Sequence, residues 1–106
     1  PGFIAPTIRE RLTRGESVDD VMVLPALFLA YLQRWHRGEL PYTYQDQAMN
    51  PATAHAICSS ADPIAAFVAD DVLWGDLAGS AALTQAMTTA YAKVQAFVSA
   101  NSLQAA

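Results

Sequence analysis

The sequence predicts an all-α fold, and three features point there. Apolar residues recur at helical spacing in one segment after another. A capping side chain precedes proline at Asn50-Pro51 and again at Asp62-Pro63, a pairing that marks helix starts. The single stretch that reads as extended, residues 42–47, has no second strand to pair with. With 53% apolar and 15% charged residues, the 106-residue chain can build a core and is not a disordered segment. Its length is that of one domain, or of part of a larger one.

Each element follows from its residues. Phe3, Ile4, Ile8 and Leu12 recur at helical spacing, with Arg9, Arg11 and Arg14 late in the segment and Gly15 as its stop. Pro6 suits a first turn if this helix starts at about Ala5, and kinks it if the helix begins upstream. Ser17 is placed to cap a second helix, with Asp19 and Asp20 in the first turn, where the dipole favours negative charge. Residues 21–32 then pass without a charge, and Gly38 closes a helix of about twenty residues, long for the usual mean. Apolar on all sides through its middle, that helix has to be covered all round. Pro25 falls about one turn past the tolerated position and is expected to bend it.

After a turn at Gly38-Glu39-Leu40-Pro41 and the extended connection, a short helix runs through Ala52, His55, Ala56 and Cys58. The next follows Asp62-Pro63, with Ile64, Phe67 and Val68 as its apolar side. Residues 70–77 read as a single turn and a loop anchored by Leu73, Trp74 and Leu77. Gly79-Ser80 opens the last helix, in which Leu83, Met87, Tyr91, Val94, Phe97 and Val98 keep an amphipathic period; residues 101–106 read as a frayed tail.

Composition excludes several function classes. A net charge of −4 gives no electrostatic reason to bind nucleic acid or an anionic membrane. The uncharged run is too short to span a bilayer, which takes about twenty apolar residues. One cysteine, Cys58, cannot close an internal disulfide and suits a reducing cytoplasm. Glycines at positions 2, 15, 38, 75 and 79 form no dinucleotide or phosphate loop.

Local chemistry is sparse as well. His36 and Glu39 are three apart, as are His55 and Cys58, but each pair offers a metal only two ligands where three or four are needed. The structural reading is a helix-end histidine and a solvated glutamate. Cys58 lies in an alanine-rich, weakly charged segment that would not activate a nucleophile, with His55 as its only nearby base. A tyrosine–lysine proton donor fails because the single lysine, Lys93, is two residues after Tyr91 and on another helix face; Tyr42 and Tyr44 have no lysine near them. Trp35 and Trp74 read as core or interface anchors. No catalytic, cofactor-binding or metal-binding residue is assigned.

The order of segments nevertheless resembles a known family. Pro1-Gly2-Phe3-Ile4-Ala5-Pro6-Thr7-Ile8-Arg9-Glu10 is similar to the segment LP-x-(F/L)-(I/L)-x-P-(T/S)-(I/L)-R-E of the long-chain mannitol dehydrogenases. An apolar helix, a Tyr-x-x-x-Asp connection (here Tyr42 to Asp46), an Asp-Pro helix start, a Leu73-Trp74-Gly75 turn and a terminal helix follow in the same order. The resemblance implies an NAD(P)-dependent polyol oxidoreductase with an N-terminal Rossmann domain and a helical C-terminal domain of the 6-phosphogluconate-dehydrogenase type. Residues 1–106 would be the last part of that helical domain. The family's catalytic lysine, with its asparagine and histidine, lies on a helix upstream of the part matched by Pro1, so no catalytic residue carries over, and His36 and His55 do not match the family's histidine. NAD would be held by the N-terminal domain, with no metal. The implied partners are the rest of the same polypeptide and a small polyol, in the cytoplasm. The rival reading is an autonomous helical interaction module with a closed core of its own; a metal-binding protein using His36, His55 and Cys58 ranks below both. A start at Pro1, without an initiator methionine, is expected of a fragment.

Overall fold

Helices begin in this chain where a short polar side chain can meet a free backbone N–H. The Ser17 hydroxyl accepts from the Asp20 N–H at 3.1 Å, Asn50 from Thr53 at 2.8 Å, Asp62 from Ala65 at 3.2 Å, Asp70 from Leu73 at 2.9 Å and Ser80 from Leu83 at 3.4 Å. In the computed structural model, which describes residues 4–41 and 49–101, these caps open α2 (Val18–Val21), α4 (Pro51–Cys58), α5 (Pro63–Val68), α6 (Asp71–Trp74) and α7 (Ala81–Asn101). The remaining elements are α1 (Ala5–Thr13), α3 (Val23–His36) and a 3-10 turn (Gly75–Leu77). No strand occurs among the described residues, and the all-α expectation holds. The connection at 42–47 and its tyrosines, Phe3 and residues 102–106 of the expected tail lie outside them. Asn101 itself still belongs to α7.

Two helices stop in the same way. At the end of α1, Gly15 adopts φ +91°, its N–H reaching the Leu12 carbonyl at 3.0 Å while the Glu16 N–H reaches that of Arg11 at 3.1 Å. At the end of α3, Gly38 adopts φ +80°, with the Gly38 N–H on Trp35 at 2.9 Å and the Glu39 N–H on Arg34 at 2.9 Å. Both are left-handed glycine stops with the paired bonds of a Schellman motif. In each the residue after glycine is a glutamate held by arginine: Glu16 by Arg11 at 2.7 Å, Glu39 by Arg37 at 2.7 Å. Removing the Ser17 cap at the other end of this unit, as Ser17→Ala, should cost about 1 kcal/mol in a urea unfolding experiment.

The long second helix is corrected by the structure. It is two helices, broken at Met22 rather than bent at Pro25. A proline clashes with the carbonyl four residues back and cannot donate to it, here that of Val21. Ending α2 at Val21 and restarting at Val23 puts Pro25 in the first turn of α3, where its missing N–H costs nothing. In α1, Pro6 likewise lies in the first turn. Residues 70–77, read as one turn and a loop, form a turn of α-helix and a turn of 3-10 helix.

The most extensive packing is between α3 and α7, and α7 also contacts α2 and α5. Helix α4 bridges α3 and α5, while α1 lies against α2 and the 3-10 turn. Ile8, Met22, Leu29, Leu32, Phe67, Leu73, Trp74 and Met87 are fully buried in one continuous core. The Trp74 and Phe67 rings meet edge to face at 5.7 Å, and the Ile4 N–H ties the start of α1 to the Leu73 carbonyl at 2.8 Å. The cover expected around the apolar helix is incomplete. Leu29 is wholly buried, but Val23 and Leu24 at the start of α3 remain 41% and 61% exposed. No described helix is long and apolar enough to cross a membrane.

Candidate functional site

Polar side chains collect where the C-terminal end of α3 meets α4 and α7. His36 closes α3, and α4, started by its Asn50 cap, brings His55 and the following Ser59 one turn apart to face it. His36 Nε2 and His55 Nδ1 are 2.8 Å apart, with the Ser59 hydroxyl 3.5 Å from the same His36 nitrogen. One ring must donate and the other accept, so the accepting imidazole is neutral while the bond exists. On the α7 side, the Tyr91 hydroxyl donates to Gln33. Arg37 and Glu39 pair across the helix stop, and the Arg37 hydrogen bond and charge, aided by Arg34, hold the Glu39 carboxyl below its usual range. Arg34 Nε and Nη1 are buried with no hydrogen-bond partner among the described residues.

Burial sets the chemistry of the two remaining groups. It pushes the Cys58 thiol up, against a smaller opposing effect of the Arg37 charge. It pushes the Tyr91 phenol up too, with Arg37 and Arg34 opposing. Neither is an activated nucleophile or acid at neutral pH. Since thiolate is the reactive form, Cys58 should react with a disulfide reagent more slowly than a free cysteine at pH 8, and its rate should still be rising at pH values where the free thiol has levelled off. A stopped-flow pH series checks this.

His36 with Glu39 and His55 with Cys58 were spaced three apart but offered a metal only two ligands each; in the fold Glu39 pairs with Arg37, and the two histidines meet across helices. Nothing in local spacing announces a contact between residues so far apart in the chain. Ser59 and Gln33 were missed for the same reason. Arg34 did carry a signal, as the first charge after the apolar run. Among the described residues no three of His, Cys, Asp and Glu gather where they could hold a metal ion. Nor do the described glycines form a cofactor loop: Gly15, Gly38, Gly75 and Gly79 are all at helix stops or turns with positive φ. The cluster joins three helices; it sets the His36 ring 3.5 Å from the Ser59 hydroxyl, but that same His36 nitrogen is engaged by His55 at 2.8 Å.

Open clefts flank the core. One of about 480 Å³ lies between α1 and Asp76, bridged by an Arg9–Asp76 ion pair. Another of about 320 Å³ lies between α3 and α7, lined by Val23, Leu27, Ala90, Lys93, Val94 and Phe97.

Comparison with known proteins carries further than this geometry. Over 97 residues the chain is 50% identical to a D-arabinitol 4-dehydrogenase of Ralstonia nicotianae, a match covering 92% of this chain and 21% of that protein. The chain is similar to part of a D-arabinitol 4-dehydrogenase. A second relative of the same name, from Klebsiella pneumoniae, is 42% identical over 81 residues, covering 76% of this chain and 18% of the relative. The resemblance seen in separate motifs is therefore carried by most of the chain, and the wording of residues 38–49 resembles these same enzymes. The chain spans about a fifth of the length of these relatives. No family model matches the chain, and no solved structure matches it significantly.

Proposed function

We propose that residues 1–106 are the C-terminal portion of an NAD-dependent polyol oxidoreductase, with D-arabinitol oxidised to D-xylulose as its reaction and mannitol as the related alternative substrate. The observation that carries this reading is the 50% identity over 97 residues to a D-arabinitol 4-dehydrogenase. The site residues fit a supporting role. The described glycines offer no seat for a dinucleotide, so the cofactor would be bound by the N-terminal part of the polypeptide, in the cytoplasm. There the nicotinamide would take up the hydride. This portion would instead back the substrate cleft and keep the catalytic helix in place. The extensive packing of α3 on α7, with the Gly38 stop ending α3 and the Ser80 cap opening α7, suits a strut of that kind.

The experiment compares the complete polypeptide with residues 1–106 alone. The complete protein should reduce NAD in the presence of D-arabinitol and yield D-xylulose, whereas the 106-residue chain should neither bind NAD nor turn over a polyol. Turnover by the short chain, or failure of the complete protein on every polyol tried, overturns the reading.

A further inference from the structure

The start of α3 exposes two adjacent large apolar residues, and an apolar cleft lies beside them. Leu24 is 61% exposed and Val23 41%, on adjacent positions of a helix that buries Pro25, Ala26, Leu29, Ala30 and Leu32. Val23 and Leu27 then form one wall of the cleft with α7, and Val94 and the half-exposed Phe97 form the other. Lys93, the single lysine of the chain, stands at the rim without an ion pair to any described residue. A contiguous apolar ridge with a cleft behind it marks an interaction surface rather than ordinary scatter.

From this arrangement we infer that the Val23–Leu24 ridge and the α3–α7 cleft form the seat for a segment of the same polypeptide outside residues 1–106. That segment is amphipathic: two or three large apolar side chains fill the cleft and a carboxylate meets Lys93. The inference rests on the proposed function, because the relatives extend for about four-fifths of their length beyond the matched part. Intramolecular supply also explains how the ridge is tolerated in a chain with few charges, since a covalently linked segment is present at high effective concentration and covers the ridge as soon as it folds. The chemistry of the seat is complementary in both respects. Its floor is apolar and selects an apolar face, while its one charge is positive and selects an acid at the rim.

The test places the photo-crosslinking residue p-benzoylphenylalanine at position 24 of the complete polypeptide and maps the product by mass spectrometry. The expected result is a cross-link within one chain, to a residue outside 1–106. A cross-linked dimer would assign the seat to a second copy, and reaction with water only would leave it solvent-exposed; either result overturns the inference. As a second measurement, Leu24→Asp should lower the melting temperature of the complete protein by about 5 °C or more and leave that of the 106-residue chain unchanged. Polyol turnover of the unsubstituted protein is read separately. Turnover without the intramolecular cross-link rejects the seat alone, and the cross-link without turnover rejects the substrate reading alone.

Discussion

Trp74→Ala should cost about 3–5 kcal/mol, the largest single effect expected in this chain. A domain of this size has a total stability of about 5–15 kcal/mol, so much of the variant would be unfolded at mild urea concentrations. The reason lies in what the indole joins. Trp74 is fully buried at the end of α6, its ring edge-on to Phe67 of α5, and its neighbour Leu73 accepts the hydrogen bond that fixes the start of α1. Alanine there opens a cavity beside Phe67 in the middle of the core, and the cost rises with the cavity that the surroundings cannot close. Trp74→Phe should be far milder. The indole N–H is buried without an acceptor among the described residues, so phenylalanine gives up some contact area but removes an unsatisfied donor worth about 1–3 kcal/mol. Urea midpoints of the two variants decide the matter; equal losses would mean that the indole N–H has a partner in solution.

Punctuation was the part of this fold most legible in the sequence. Ser17, Asn50 and Asp62 each cap the helix they were expected to cap, and Gly15 and Gly38 end theirs in the left-handed conformation. These signals are local: a side chain and an N–H three residues on, or a backbone angle that only glycine takes easily. The break at Met22 was less legible, because Pro25 announces a fault while the carbonyl it displaces is four residues earlier. Asp70 was overlooked as a cap, since a four-residue helix such as α6 has too few residues to show a period. The candidate site was least legible of all. The His36–His55 contact and the Tyr91–Gln33 bond depend on how α4 and α7 are laid against α3, which no spacing within one helix encodes. The family resemblance was readable for yet another reason: the order of unremarkable motifs survives where no single motif is diagnostic.

Two leucines of α3, five positions apart, should behave in opposite ways. Leu29 is wholly buried, and Leu29→Ala should destabilise the 106-residue chain by about 2–5 kcal/mol through lost burial and the cavity left behind. Leu24 is mostly in solvent, and Leu24→Ala in the same chain should fall within about 0.5 kcal/mol of the parent. In the complete polypeptide the two should converge. There Leu24 would be covered by the segment seated on the ridge, and its truncation should cost about 2 kcal/mol, while the Leu29 penalty stays as it was. Thermal or urea unfolding of four variants, two in each length of chain, measures this directly. A Leu24 penalty that is the same in both lengths would mean that α3 is already as covered as it will ever be, and that its apolar start serves no larger domain. A penalty that appears only in the longer chain would make α3 what its sequence first suggested: a helix apolar on all sides because, in its full setting, every side is packed.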